Sequence, residues 1–200
     1  MKILGLDTTG AQCSVALVDT AKVLAYKSEN IGRGHAERLA PMVAEVLADA
    51  GLTAKDVDKI AVCTGPGSFT GLRVALAFAK GFALPRKLPV VGIDALQVTA
   101  EDIALADPKE TVIVYRDIRR NEILSAKHNR GLRVGPITTS TLDSLTDEAT
   151  KLGIATVESI SIDTSILAWL AADLSPIDYP AEPLYSRGPD AKLPGGLDPK

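Results

Sequence analysis

The chain has 200 residues, of which 46% are hydrophobic and 24% are charged, as in an ordinary globular protein. Its net charge of −3 argues against nucleic-acid binding over the whole surface, although a local basic patch is compatible with it. The two histidines stand far apart in sequence, which excludes a helical pair of histidine metal ligands and leaves only a carboxylate magnesium site open. Both cysteines lie in apolar runs, and no segment approaches the ~20 apolar residues of a membrane span. We therefore expect a cytoplasmic protein with reduced thiols.

The first half of the chain predicts an α/β lobe with a mixed sheet. Alternating and continuous apolar runs predict strands, and apolar residues at three- and four-residue spacing predict helices. In chain order these are strands 3–7, 13–18 and 23–28, helix 35–50, strand 60–64, helix 72–84, strand 88–92 and helix 95–105. Strand 60–64 has too few polar positions for an edge and is placed centrally. Pro41 lies inside the first helix, so that helix either kinks there or becomes regular nearby.

The second half is smaller and less regular. After a linker at 107–110, the patterns predict strands 111–115 and 122–126, a weak strand at 137–139, helix 142–152, strand 155–159 and helix 165–172. The chain end is rich in proline and glycine. We therefore divide the chain into an N-terminal lobe at 1–106, a smaller C-terminal lobe at 107–188 and a flexible tail at 189–200.

The stretch GPGSFTGLR joins strand 60–64 to the next helix. It lacks the Gly-Lys-Ser/Thr triplet of a phosphate loop. Its glycines permit a tight turn, its proline stiffens that turn, and a hydroxyl side chain is expected to cap the helix that follows. The structural turn consists of Gly65, Pro66, Gly67, Ser68, Thr70 and Gly71, with Ser68 or Thr70 as the cap.

Small residues recur at four-residue spacing on that helix, at Gly71, Ala75 and Ala79 and again at Ala77 and Gly81. Such faces let a neighbouring element approach closely, so partner docking and tight internal packing both explain them. We expect exposed apolar faces of the first two helices to form a shared interface patch. Its predicted members are Leu39, Val43, Val46, Leu72, Ala75, Ala79 and Phe82.

The stretch LDTTG has two interpretations. Asp7, Thr8 and Thr9 either coordinate magnesium and phosphate or form a hairpin turn that caps its own backbone. Close approach of a phosphate would favour glycine at the positions of the two threonines. Their presence therefore favours the hairpin turn. A hydrolase set of Ser68, His35 and Asp7 is disfavoured because no Gly-x-Ser-x-Gly elbow is present.

A basic turn, RDIRRN, joins the first two strands of the second half. Arg116, Arg119 and Arg120 either are simply solvated or contact RNA phosphates or an acidic partner surface.

Taken with ILGLDTT, VYRDIRRNEI and PLYSRGPDAK, the GPGSFTGLR stretch makes the sequence resemble the TsaB (YeaZ) family over nearly its whole length. The resemblance implies a two-lobed, ribonuclease-H-like α/β fold of the actin-like ATPase superfamily, with mixed sheets, flanking helices and a reduced second lobe. It also implies a non-catalytic subunit that dimerises with the related protein TsaD through N-lobe helices. With the ATPase TsaE, that pair transfers threonylcarbamoyl to adenosine 37 of tRNAs reading codons that begin with A.

No cofactor is expected, although nucleotide at the partner interface stays open. A working ATPase of this superfamily needs a second phosphate loop of Asp-x-Gly type, whereas Asp117 is followed here by Ile118. Asp7, Thr8 and Thr9 are thus interpreted as a vestigial phosphate loop. Alone, the chain is expected to form a homodimer, and tRNA is expected to reach it through the complex. The alternative is an independent enzyme, either an ATPase or a peptidase.

Overall fold

The computed structural model describes residues 1–108 and 111–185. The strands are β1 (Ile3–Asp7), β2 (Gln12–Val18), β3 (Val23–Asn30), β4 (Lys59–Cys63), β5 (Val90–Ile93), β6 (Thr111–Asp117), β7 (Ile123–Asn129), β8 (Leu132–Arg133), β9 (Thr138–Ser140) and β10 (Ala155–Glu158). The α-helices are α1 (His35–Asp49), α2 (Phe69–Ala83), α3 (Ala95–Ala106), α4 (Leu142–Leu152) and α5 (Thr164–Leu170). Among these helices none is long and apolar enough to span a membrane.

The first sheet has the strand order β3-β2-β1-β4-β5. β1 to β3 form an antiparallel meander, and β4 and β5 run parallel to β1. Every residue of β1 and β4 is buried, because helices cover both faces of the sheet centre. The predicted central position of strand 60–64 and the predicted mixed α/β fold are confirmed.

Alternate residues of the central strands divide between two apolar cores. Leu4 and Leu6 of β1 belong to the core under α1 and α2, whereas Ile3 belongs to the core on the other face, under α3 and α5. This period of two is what a strand requires when both faces are covered. Helix α1 runs unbroken through Pro41, which is exposed.

The second sheet has the order β10-β6-β7-β8, with β9 also pairing with β7. Helix α3 joins the two sheets. Its Ala95 and Val98 lie in the α5-side core of the first sheet, and its Leu96 and Ala100 pack with strands β6 and β7 of the second sheet. Helix α4 covers the opposite face through Leu145 and Ala149.

The predicted lobe boundary at residue 106 separates the two sheets, but it assigns α5 to the wrong one. Helix α5 packs on β1, β2 and β4, and its Ile166, Leu167 and Ala168 are buried in a core of the first sheet. The Ser14 and Thr164 hydroxyls lie 3.0 Å apart across this contact. The chain therefore returns to its first sheet after completing the second. The predicted tail, 189–200, lies outside the described residues.

A buried lysine fastens the end of α5 to the first sheet. The Lys59 ammonium group of β4 donates to the carbonyls of Ala171, Ala172 and Leu174, at 2.9, 2.8 and 3.1 Å. Carbonyls at a helix C-terminus have no intrahelical donor and lie at the negative end of the helix dipole. One side chain thus satisfies three acceptors that belong to the other half of the chain.

Candidate functional site

The turn after β1 is hydrogen-bonded both to the glycine-rich turn after β4 and to the first turn of α2. The Ser68 N–H donates to the Thr9 carbonyl at 2.7 Å, and the Thr8 hydroxyl donates to the Gly71 carbonyl at 2.7 Å. A Cβ atom at Gly67 would lie 2.4 Å from the Thr9 carbonyl oxygen, and one at Gly71 would lie 1.9 Å from that of Thr8. Both glycines therefore serve a backbone-to-backbone contact inside the protein.

Ser68 is the cap of α2, since its hydroxyl accepts the Gly71 N–H at 3.2 Å. The helix begins at Phe69, so Thr70 and Gly71 are helical and do not form part of the turn. Gly65, which precedes the buried Pro66, has a φ of 100°, a conformation that favours glycine. Its carbonyl accepts the Ala95 N–H at 2.6 Å, which ties the turn to the start of α3.

Asp7 is buried within the β1–β2 turn, where its carboxylate accepts the Thr9 N–H at 2.8 Å. Burial raises the pKa of Asp7, and the hydrogen bonds from Thr9 oppose that rise. The Thr9 hydroxyl lies 3.7 Å from the Cys63 sulfur. These are the contacts of a hairpin turn that caps its own backbone.

The three members of the hydrolase set are each engaged elsewhere. Ser68 caps α2, Asp7 accepts the Thr9 N–H, and the His35 Nε2 lies 3.2 Å from the Gln12 carbonyl oxygen. Across residues 1–108 and 111–185, no group of three or more His, Cys, Asp or Glu side chains is placed to hold a metal ion. The structure therefore does not assemble this catalytic set.

The three arginines of the predicted basic turn do not lie on one surface. The Arg116 side chain turns inward and donates to the carbonyls of Ser159 and Ile160. Its positive charge also opposes the raised pKa of Asp7. Arg116 therefore joins β6 to the segment after β10 instead of extending from the turn. Arg119 and Arg120 lie exposed in the turn, and their contact with RNA or a partner stays a prediction.

Most of the predicted interface residues are buried inside the chain. Leu39, Val43, Val46, Leu72, Ala75 and Ala79 are each at most 3% exposed, and Phe82 is partly buried. The expected exposed patch built from them is wrong, because the apolar stripes of α1 and α2 face the first sheet. Of the two small-residue faces on α2, the one with Ala75 and Ala79 serves internal packing, whereas Ala77 and Gly81 are exposed.

The outward sides of α1 and α2 nevertheless form an apolar groove of about 460 Å³. It is lined by Ala36, Leu39, Phe69, Thr70, Arg73, Val74, Ala77 and Phe78. Ala40 and Ala44 of α1 are exposed, and Phe69 of α2 is 49% exposed. We call this feature the α1–α2 groove. Small exposed residues beside aromatic ones are suited to close contact with another helix.

Arg73 and Phe69 are groove residues that the sequence patterns did not single out. The Arg73 guanidinium carbon lies 3.8 Å from the centre of the Phe69 ring, and its Nε donates to the Tyr185 hydroxyl at 3.3 Å. The rings of Phe69 and Tyr185 are 5.2 Å apart. An arginine four residues after a phenylalanine on an amphipathic helix is the signal that could have indicated this stacked pair.

The chain was compared with known proteins. The family model TsaD, tRNA N6-adenosine threonylcarbamoyltransferase, matches residues 23–167. The tRNA threonylcarbamoyladenosine biosynthesis protein TsaB of Escherichia coli is 35% identical over 130 residues, and that of Haemophilus influenzae is 38% identical over 123. These alignments cover 65% and 62% of this chain but only 56% and 52% of the relatives, so the chain matches little more than half of their length.

Two further matches extend over nearly the whole chain. An uncharacterised Mycobacterium tuberculosis protein is 33% identical over 204 residues, covering 95% of this chain and 93% of its own. The solved structure of YeaZ from Pseudomonas aeruginosa is 25% identical, with a TM-score of 0.75 over 92% of this chain and 99% of that one. The family model, the curated TsaB relatives and the solved YeaZ structure point to the same family. The chain therefore belongs to the TsaD family and, within it, to the TsaB (YeaZ) proteins.

Proposed function

We propose that this chain is a non-catalytic subunit in the synthesis of threonylcarbamoyladenosine in tRNA, and that it works by binding TsaD. The biosynthetic role is supported by the curated TsaB relatives, which are named for that pathway. TsaE and tRNA would join through the complex with TsaD. A role in tRNA modification implies that the chain acts in the cytoplasm.

The α1–α2 groove is the observation that carries this proposal. It presents apolar and small side chains to solvent on two adjacent helices. A contiguous apolar surface of this kind is typical of a protein interface. In the absence of TsaD, a second copy of the chain would cover the groove, which gives the predicted homodimer. TsaD would then displace that copy.

The contact between the two turns supports the non-catalytic part of the proposal. A phosphate loop needs open backbone N–H groups, whereas the Ser68 and Thr9 N–H groups donate to protein acceptors. The alternative of an independent enzyme is favoured by one Pseudomonas aeruginosa structure, described as similar to the peptidase YeaZ (26% identity, TM-score 0.76). ATP turnover and casein cleavage by the purified chain test it, and appreciable activity in either assay would support the enzyme.

Replacing Ala77 with arginine is expected to weaken binding to TsaD and homodimer formation by at least about tenfold each. Ala77 is exposed on the groove wall, so a long charged side chain there obstructs a docked helix without disturbing the core. Titration calorimetry with TsaD and sedimentation of the isolated chain measure the two associations.

Ala106→Arg provides the matched control, because Ala106 is exposed at the end of α3 and does not line the groove. Its affinity for TsaD should equal that of the wild type. Unchanged binding by the Ala77 variant would place the TsaD interface elsewhere.

Asp7→Asn is expected to cost at most ~1 kcal/mol in stability, which leaves the chain folded, and tRNA modification should stay within roughly fivefold of wild type. Asparagine keeps the acceptor for the Thr9 N–H and removes the need to bury a negative charge. The measurement is modification by a complex reconstituted from this chain, TsaD and TsaE.

The Asp7 variant must first be shown to be folded and bound to TsaD. A fall in modification by orders of magnitude in such a variant would give Asp7 a chemical role and contradict the non-catalytic proposal.

A further inference from the structure

We infer that Arg73 selects the occupant of the α1–α2 groove by binding a carboxylate on the docked partner helix. The occupant we commit to is a helix of the partner in the proposed complex, with apolar side chains along one face and an aspartate or glutamate beside them. This inference rests on the proposed function and adds to it the residue that determines specificity.

Arg73 is held at the edge of the groove by contacts with two neutral groups. Its guanidinium carbon lies over the Phe69 ring, 3.8 Å from the ring centre, and its Nε donates to the Tyr185 hydroxyl. Within residues 1–108 and 111–185, no carboxylate lies within 4.0 Å of it. The Nη donors, which form the fork that matches a carboxylate, are not used by these two contacts.

Three other arginines of the chain differ from Arg73 in the acceptors that their guanidinium groups contact. Arg38 forms ion pairs with Glu29 and Glu45, and Arg133 forms one with Asp94. Arg86 donates to the carbonyls of Ala54 and Val57. Each of these three therefore has a carboxylate or backbone carbonyl acceptor, whereas Arg73 contacts an aromatic ring and a phenolic hydroxyl.

The surroundings of Arg73 determine which partner fits. The groove wall beside it includes the apolar side chains of Ala36, Val74, Ala77, Phe69 and Phe78. A helix that docks there must bury apolar side chains at three- and four-residue spacing. Docking also removes water from Arg73, so a facing carboxylate stabilises the complex and an apolar or basic residue in its place destabilises it.

Tyr185 acts as a positioning residue for Arg73. The segment that carries it is fixed on the first sheet, since the Gly92 N–H donates to the Tyr179 carbonyl at 3.0 Å and the Leu184 N–H donates to the Thr64 carbonyl at 2.8 Å. The groove edge is thus completed by a segment more than one hundred residues later in the sequence. Tyr185→Phe keeps the ring and loses the acceptor for Nε, so it should weaken partner binding less than a change of Arg73 itself.

The test compares Arg73→Gln with Lys80→Gln in titrations against purified TsaD at several salt concentrations. Lys80 is exposed on the same helix, and its loss changes the net charge equally, but it does not line the groove. We expect Arg73→Gln to lose at least about tenfold in affinity and to show a flatter salt dependence, whereas Lys80→Gln stays within about threefold of wild type. Arg73→Lys keeps the charge and loses the planar fork. Its affinity for TsaD should lie between those of Arg73→Gln and Lys80→Gln.

A charge-reversal experiment identifies the TsaD carboxylate that binds Arg73. In complexes with Arg73→Glu, replacing acidic TsaD surface residues one at a time by lysine should restore binding at one position. Unchanged thermal midpoints for the Arg73 variants would confirm that binding is compared between folded proteins.

Wild-type affinity of Arg73→Gln alongside weak binding by Ala77→Arg would overturn this inference and leave the proposed function standing. If Arg73→Gln and Ala77→Arg both bound TsaD with wild-type affinity, both this inference and the proposed function would be overturned. Loss of homodimerisation by Arg73→Gln without loss of TsaD affinity would also overturn the inference, because the carboxylate would then belong to a second copy of the chain.

Discussion

Replacing Gly71 with alanine is expected to lower the free energy of unfolding by about 3 kcal/mol or more, at the upper end of what overpacking produces. Gly71 lies in the first turn of α2, and an added Cβ would stand 1.9 Å from the Thr8 carbonyl oxygen. Because that atom is backbone, the helix and the β1–β2 turn must move apart. The hydrogen bond from the Thr8 hydroxyl to the Gly71 carbonyl would be lost with them.

Gly81→Ala on the same helix is the matched control. No heavy atom lies within 4 Å of a Cβ built at Gly81, so alanine there should stabilise the helix by about 0.5 to 1 kcal/mol. In thermal unfolding, the Gly71 variant should lose roughly 6 to 12 °C and the Gly81 variant should gain a few degrees. Equal midpoints for the two variants would show that the turn contact does not determine the position of α2.

Lys59→Met is expected to destabilise the fold by about 3 kcal/mol, since hydrogen bonds to a charged group contribute about 1.5 to 3 kcal/mol each and water can replace part of them. Methionine fills a similar volume but removes the ammonium donor from the carbonyls of Ala171, Ala172 and Leu174, of which the Ala171 carbonyl keeps the Leu174 N–H at 3.3 Å. Chemical denaturation gives the loss of stability. Hydrogen exchange should show lost protection first in α5.

Lys55→Met provides the comparison for Lys59, because Lys55 is exposed in the short turn 54–56 that precedes β4. Its stability should stay within about 0.5 kcal/mol of wild type. If the Lys59 variant matched it, the three carbonyls would be satisfied by solvent, and the buried ammonium would have no role in holding α5.

The helices and strands could be predicted well from sequence because their signals are local. Every predicted helix and strand is present, including the central β4, whose continuous apolar run reports burial on both faces. Among the strands of residues 1–108 and 111–185, the two-residue strand β8 was not predicted, since so short a strand has no periodicity. The start of α2 was placed at Leu72 instead of Phe69, because glycine was interpreted as a turn residue although Gly71 is helical.

The candidate site could be predicted only in part because its contacts are not local. The glycine motif correctly indicated a structural turn, but its contact with Thr8 and Thr9 joins segments about sixty residues apart. A small-residue spacing on a helix cannot distinguish internal packing from docking. The structure distinguishes them by placing Ala75 and Ala79 against the sheet and Ala77 outside. Arg73 was missed because the ring that completes its environment, Tyr185, is distant in sequence.

The return of α5 to the first sheet has a consequence for the order of synthesis and folding. The faces of Ile3, Ala16 and Ala61 stay uncovered until α5 has left the ribosome, and the Ser14–Thr164 contact spans 150 residues. A nascent chain that ends after α3 therefore lacks the helix that packs on β1, β2 and β4. Contacts of such long sequence separation form late and slowly. The first lobe would thus complete its own core only after its last helix had been synthesised.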